Sequence, residues 1–252
     1  MFEGLKEALG YVVELGNDAV RTEVIEIAGK TYARSGGGSL ERYDEADYAE
    51  PVTAATLTAL SDYIENCHEE FLNRKMIIHV VSPTEVRLVS ILDADRKRET
   101  LFVSNAIVSE FMFGRWYDQE SFMIGLQANF QPTVDLDVIM KLAGNIEKKN
   151  DAAYSDDGCT QIVTMQTGVA TKGDAIVPNP AVLKPFRTFQ EVDQPESAFV
   201  FRIGDGDEPA FKLVEAEGGV WRNVAIQNIK DYLATLLADM PEEIQSMITI
   251  IG

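Results

Sequence analysis

The groups that could carry chemistry here are two histidines, two cysteines and many carboxylates. Cys67-His68-Glu69-Glu70 offers four potential metal ligands in succession. On a helix, consecutive side chains point about 100° apart, so these four cannot converge on one ion. The nearest same-face pair, Glu65 and Glu69, has no histidine between its faces, and His68 reads as a polar surface residue. His79 lies in an apolar strand-like run, where packing or edge exposure accounts for it better than catalysis. Asp93/Asp95, Asp156/Asp157 and Asp205/Asp207 could each contribute to a Ca²⁺ or Mg²⁺ site. None has the EF-hand spacing, and Asp in turns commonly bonds local backbone amides. No nucleophile elbow surrounds any serine or cysteine. The expectation is therefore no catalytic residue, no metal and no cofactor, with an unrecognised acidic metal enzyme kept as the third reading.

Residues suited to binding are more numerous. Phe111, Phe113, Trp116, Tyr117 and Phe122, with Arg115 among them, form the densest aromatic cluster. Aromatic rings beside an arginine can stack bases or anchor a protein interface. They can equally lock a loop onto a sheet, which is the plainer reading. Arg96-Lys97-Arg98 is the one compact basic run, either a local anion contact or a solvated loop tip.

Against this small basic run stands a net charge of −19, from 41 acidic and 22 basic residues. Such a surface repels phosphate backbones and anionic lipids. Glu41, Asp44, Glu45, Asp47 and Glu50, with Asp205, Asp207 and Glu208, form a candidate acidic face. It could meet a basic protein by imitating nucleic acid, although solubility alone explains acidic charge more simply.

The elements that must position these groups follow from periodicity. Phe2, Leu5, Leu9, Val12 and Val13 lie on one face of a helix ended by Gly16-Asn17. Glu23–Arg34 reads as a hairpin about Ala28-Gly29-Lys30. Ser35-Gly36-Gly37-Gly38-Ser39 is a flexible link, lacking the Gly-Lys-Ser/Thr ending of a phosphate loop. After the acidic loop 41–51, Thr53 is expected to cap a helix bearing Leu57, Leu60, Ile64, Cys67 and Phe71. Met76–Val81, Glu85–Leu92 and Thr100–Ile107 predict a three-stranded antiparallel unit. Helices are expected over 119–130 and 134–149, the latter burying Val134, Val138, Leu142 and Ile146. A strand at 161–168 and a Pro-rich stretch lead into a meander over 185–221, with strands near 186–191, 198–203 and 211–215. A final helix over 223–238 would bury Ile229, Leu233, Leu236 and Leu237. Strands and helices without βαβ alternation argue for α+β.

The order of segments resembles the YfdQ-like phage and prophage proteins, a domain-of-unknown-function family. The anchors are EVRLVSILDADRKRE, Trp116 before ESFMIGLQANF, a polar strand at Gln161, IVPNPAVLKPF and the closing meander. LERYDEADYAEP before TLTALSDYIEN is similar to that family's leader. The loop after Leu92 departs from the family in lacking a histidine-containing pattern, and SFMIGLQANF stands where an acidic Phe-Ile-Glu pattern is typical. The resemblance implies a phage or prophage origin and carries no catalytic residues.

The expected architecture is α+β, with antiparallel sheets, a C-terminal meander and covering amphipathic helices. Residues 1–39 form an N-terminal helix and hairpin and 40–252 the main domain, unless the two are continuous. The apolar runs fall far short of a membrane span, and the N-terminus resembles neither a signal nor a transit peptide, so a cytoplasmic protein with free thiols is expected. The leading functional expectation is a non-enzymatic, homo-oligomeric, phage-encoded protein that occupies the basic surface of a host or phage protein, without membrane contact. The alternative is an auxiliary factor of phage DNA replication or recombination touching nucleic acid through the basic run and the aromatic cluster.

Overall fold

The structure is a computed structural model describing residues 2–20, 22–35, 38–44, 48–67, 74–108, 110–146, 154–156, 161–167, 171–176, 178–204 and 208–252. The fold is α+β, in two compact units, Met1–Tyr48 and Ala49–Gly252. The first holds α1 (Phe2–Val20), β1 (Thr22–Ile27), β2 (Lys30–Ser35) and β3 (Glu41–Arg42), with β1-β2-β3 as an antiparallel sheet. Ala28 and Gly29 both take positive φ (53° and 75°), the twist a two-residue hairpin turn requires. The boundary falls later than residue 39 because β3 pairs with β2 and draws the following residues into this unit. None of its residues whose burial is described is buried.

The second unit contains β4 (Val52–Ala54), α2 (Leu57–Asn66), β5 (Met76–Ser82), β6 (Glu85–Ser90), β7 (Thr100–Asn105), β8 (Tyr117–Asp118), α3 (Gln119–Asn129), β9 (Phe130–Gln131) and α4 (Val134–Asn145). It continues with β10 (Tyr154–Asp156), β11 (Gln161–Thr167), β12 (Thr171–Ile176), β13 (Ala181–Pro185), β14 (Ser197–Ile203), β15 (Ala210–Glu215), α5 (Trp221–Ala238), α6 (Glu242–Met247) and β16 (Ile248–Ile251). Three sheets result, with strand orders β16-β5-β6-β7-β4, β8-β15-β14-β13-β9 and β10-β11-β12.

The expected β5-β6-β7 unit is the centre of a wider mixed sheet, because β16 joins β5 and β4 joins β7 in parallel. Thr53 therefore lies inside β4. The cap of α2 is Thr56, whose Oγ1 accepts the Ala59 amide at 3.2 Å. One face of this sheet carries Met76, Ile78, Val80 and Leu88, which pack with Leu57, Leu60 and Ile64 of α2 and Ile229 and Leu233 of α5. Leu236 and Leu237 are only half-buried, and the start of α5 contributes Trp221 and Ala225 instead.

A second core lies between the β8–β9 sheet and helices α3 and α4. Phe199, Phe201, Phe211 and Leu213 alternate inward from β14 and β15, as period-2 strands must. Phe122 of α3 stacks on Phe201 and Phe211, with centroids 5.8 and 5.2 Å apart. Helix α4 buries Leu136, Ile139, Leu142 and Ala143, and Ile146 follows at its end; Val134, expected in the core, is 80% exposed. Val134 is the first helical residue after the Thr133 cap, and the buried stripe begins two residues further on, at Leu136.

Residues 186–191, expected as a strand, are irregular. Phe186 N donates to the Asn129 carbonyl at 2.9 Å, and much of the remaining backbone bonding goes to one side chain, Gln194, which is 2% exposed. Its Oε1 accepts the amides of Arg187 (2.9 Å) and Thr188 (3.2 Å), and its Nε2 donates to the carbonyls of Phe189 (2.9 Å) and Val192 (3.3 Å). The segment so shaped sends Phe189 and Val192 into the first core. Glu191 Oε1 reaches the N-terminus of α2, accepting from Leu57 N at 2.7 Å, and Thr188 Oγ1 donates to the Pro83 carbonyl at 2.5 Å. Replacing Gln194 by Leu leaves the Phe189 carbonyl with the Val192 amide at 3.4 Å but strands three other buried backbone groups, each costing about 1–3 kcal/mol when unsatisfied. Q194L is expected to lower the urea midpoint by an amount equivalent to at least about 3 kcal/mol, with the m-value unchanged. A shift under about 1 kcal/mol would show that the segment holds its shape without the amide.

Candidate interaction surfaces

The aromatic loop is mostly structural. Phe111 is buried, stacks on Tyr117 at 5.0 Å and meets Phe130 edge-on at 5.1 Å. It packs against α3 at Gly125, where a Cβ would come within 3.1 Å of its ring. Phe113 stacks on Phe199 at 5.1 Å. The Tyr117 hydroxyl accepts the Met112 amide at 2.9 Å. Phe111 therefore offers no face to a base, contrary to the binding expectation, Phe113 spends one on Phe199 of the sheet, and Tyr117 spends one on Phe111. Arg115, over the Tyr117 ring at 5.6 Å, and Trp116, 46% exposed with Lys212 Nζ 4.3 Å from its centroid, are the members left at the surface.

Arg96, Lys97 and Arg98 occupy the exposed β6–β7 loop, on a different sheet from the aromatic cluster. Asp93 shapes this loop: its Oδ1 accepts the Asp95 and Lys97 amides, both at 2.8 Å, while Arg96 takes a φ of 61°. Arg98 Nη1 donates to the Ser90 carbonyl at 3.0 Å. Asp93 and Asp95 thus follow the turn reading.

Of the acidic candidates, Glu41 and Asp44 lie in the first unit and Glu50 and Glu208 in the second. Asp44 accepts from Arg42 Nε (2.8 Å) and the Thr31 amide (3.0 Å), which together hold its carboxyl below the usual range. Glu45, Asp47, Asp205 and Asp207 lie outside the described residues, as do His68, Glu69, Glu70, Phe71, Asp157 and Cys159. Cys67 is a free thiol. His79 is half-buried in β5, opposite Arg87.

A surface cleft of about 390 Å³, unanticipated from the sequence, is lined by Glu191, Val192, Asp193, Asn228, Asp231 and Tyr232. Glu191 is committed to α2, but Asp193 and Asp231 give the wall an acidic character beside a tyrosine ring. Among the described residues, no three His, Cys, Asp or Glu side chains are arranged to hold a metal ion.

Among the described residues the one strongly buried charge is Arg187, which periodicity gave no reason to single out. Its guanidinium lies 4.0 Å from the Trp221 ring centroid and 5.7 Å from that of Phe199. Nη1 donates to Glu215 Oε1 at 2.5 Å and Nη2 to Ser197 Oγ. Arg222 approaches the same indole at 4.8 Å, leaving Trp221 between two guanidinium groups. Burial lowers the Arg187 pKa from the usual arginine value to about 10, against the opposing pull of Glu215 and Glu217. Because the folded value is the lower one, this proton leaves the folded state first, and the group's contribution to stability rises as pH climbs above about 10 toward the unfolded value. At neutral pH the charge is retained at a desolvation cost that its partners offset only in part.

Arg187→Lys is expected to destabilise the unit by about 2 kcal/mol in urea unfolding, since one ammonium cannot bond Glu215 and Ser197 and also lie flat on the indole. Equal stability would mean that the fork geometry is dispensable. A second expectation concerns Asp118, the cap of α3, whose carboxylate accepts from the Ser121 amide (2.8 Å) and hydroxyl (2.7 Å). The Ser121 bonds hold its pKa below 3.8, so its stabilisation is present above that value and is lost as pH falls through the lower folded one. Asp118→Ala should lower the melting temperature at neutral pH, and the deficit should shrink in acid; a deficit unchanged down to the acid limit would contradict the ionic cap.

No family model matches this chain, and neither a curated protein nor a solved structure does.

Proposed function

We propose that this chain is a non-enzymatic acidic binding protein of phage origin, acting as a homo-oligomer in the host cytoplasm and occupying the basic surface of a nucleic-acid-acting or defence protein. The observation carrying this reading is how the molecule spends its few cations. Arg34 pairs with Glu23, Arg42 with Asp44, Arg87 with Glu85 and Lys184 with Glu196. Arg187 is buried on Glu215, and Lys212 and Arg222 lie over tryptophan rings. With these cations held internally and a charge of −19, the outward field is carboxylate. The cleft walled by Asp193, Asp231 and Tyr232 has the size and chemistry to take a partner's lysine or arginine side chain. No helix among the described residues is long and apolar enough to cross a membrane. The phage origin is supported by the segment order shared with the YfdQ-like proteins.

The competing nucleic-acid reading has the exposed Arg96–Arg98 tip in its favour, but the aromatic rings expected beside it are packed on another sheet. A competition titration separates the two. The chain should displace labelled duplex DNA from a basic DNA-binding protein, with an affinity that falls as salt rises, and should not itself shift the anisotropy of the free DNA. Charge reversal by Asp193→Lys with Asp231→Lys should weaken the displacement. Direct DNA binding that disappears in Arg96→Ala with Arg98→Ala would sink the proposal in favour of the auxiliary factor.

A further inference from the structure

We infer that α1 is a self-association element, and that its apolar face is covered by the same face of further copies of this chain. The inference deepens the homo-oligomer part of the preceding proposal and rests on that part alone. Every side chain from Glu3 to Asn17 is exposed. Leu5, Leu9, Val12, Val13 and Leu15 are each between 51% and 62% exposed. At 100° per residue these five fall within an arc of about 160°. Leu5, Leu9 and Val12 keep the alternating four- and three-residue spacing of a coiled-coil seam, and Val13 and Leu15 widen it on both sides.

Such a helix does not stand alone in water. Isolated helices of this length are marginal even when rich in alanine, and this one carries Gly4, Gly10 and Gly16 with an adjacent Val12-Val13 pair. Its own unit supplies no cover, since no residue there whose burial is described is buried.

Charge and area identify the occupant. Glu3, Glu7 and Glu14 lie together on the opposite side of the helix, so copies can close their apolar faces without apposing carboxylates. The only cation among these positions is Lys6, so the polar face lacks the basic character of helices that lie on anionic membranes. The five side chains present on the order of 500 Å², less than the roughly 800 Å² per partner of a standard interface. An arc this wide is also more than one facing helix covers. Three or more copies, each flanked on both sides, cover such an arc, and the exposed Val24 and Ile27 of β1 enlarge the apolar surface that the same unit can bury.

Sedimentation equilibrium of the full chain tests this. The expected mass is three or more times the 27.9 kDa of one chain, and Leu9→Glu should reduce it to a monomer while leaving the thermal transition of the second unit in place. Because a variant can fail for other reasons, the unmodified chain decides by itself: a monomer at every concentration overturns the inference, as does an unchanged mass in Leu9→Glu. A monomer that floats with phosphatidylcholine vesicles would assign the face to lipid and also overturn it. If the chain is monomeric yet still displaces DNA from a basic protein, self-association fails while the binding proposal stands.

Discussion

One buried amide, that of Gln194, sets the geometry on which much of the second unit depends. Four hydrogen bonds to one side chain replace the ladder bonds that residues 187–192 would otherwise need, and they do so where water cannot. The freed backbone then distributes its side chains in three directions. Arg187 goes to the aromatic rings beside β14 and α5, Phe189 and Val192 go under the first sheet, and Glu191 goes to the N-terminus of α2. A regular strand could not do this, because its side chains alternate between only two faces. The exchange of a strand for a bent segment is what ties the two cores of this unit together.

Charge is organised around the same segment. A guanidinium removed from water is costly, and here Glu215 and Ser197 accept from its two Nη atoms and Trp221 covers its face, while its Nε is buried without a partner. Similar economy holds at the surface, where arginines pair with nearby carboxylates and Lys212 lies over Trp116. A chain with nearly twice as many acids as bases, several of the bases paired with its own carboxylates, presents a net negative field to an approaching molecule. That field favours basic partners and disfavours phosphate backbones, whichever surface makes the contact.

The two units differ in how they are held. The second has buried phenylalanine, leucine and isoleucine side chains on both of its five-stranded sheets, enough to order it by burial alone. The first has a long helix and three short strands but no buried side chain among those described. Secondary structure without burial is thermodynamically weak.

What the sequence by itself determined was local: the α+β class, the β1–β2 hairpin at Ala28-Gly29, the β5-β6-β7 run, the inward phenylalanines of β14 and β15, and the faces of α1 and α2. Each depends on a period of 2 or 3.6 or on turn chemistry between near neighbours. Asp93 and Asp95 were legible as turn residues for the same reason. Only tertiary structure decided the rest. Thr56 rather than Thr53 caps α2 because Val52–Ala54 pairs with β7, fifty residues away, and the terminal Ile248–Ile251 run becomes a strand by pairing with β5. Gln194, Arg187 and the Asp193–Asp231 cleft carried no local signal, since a glutamine or arginine in an irregular stretch looks solvated until partners distant in sequence arrive. The aromatic cluster shows the converse: its composition suggested binding, but packing against Gly125 and Phe199 turned Phe111 and Phe113 inward. Burial is a property of what comes to lie opposite a side chain, and periodicity reports only which way that side chain points.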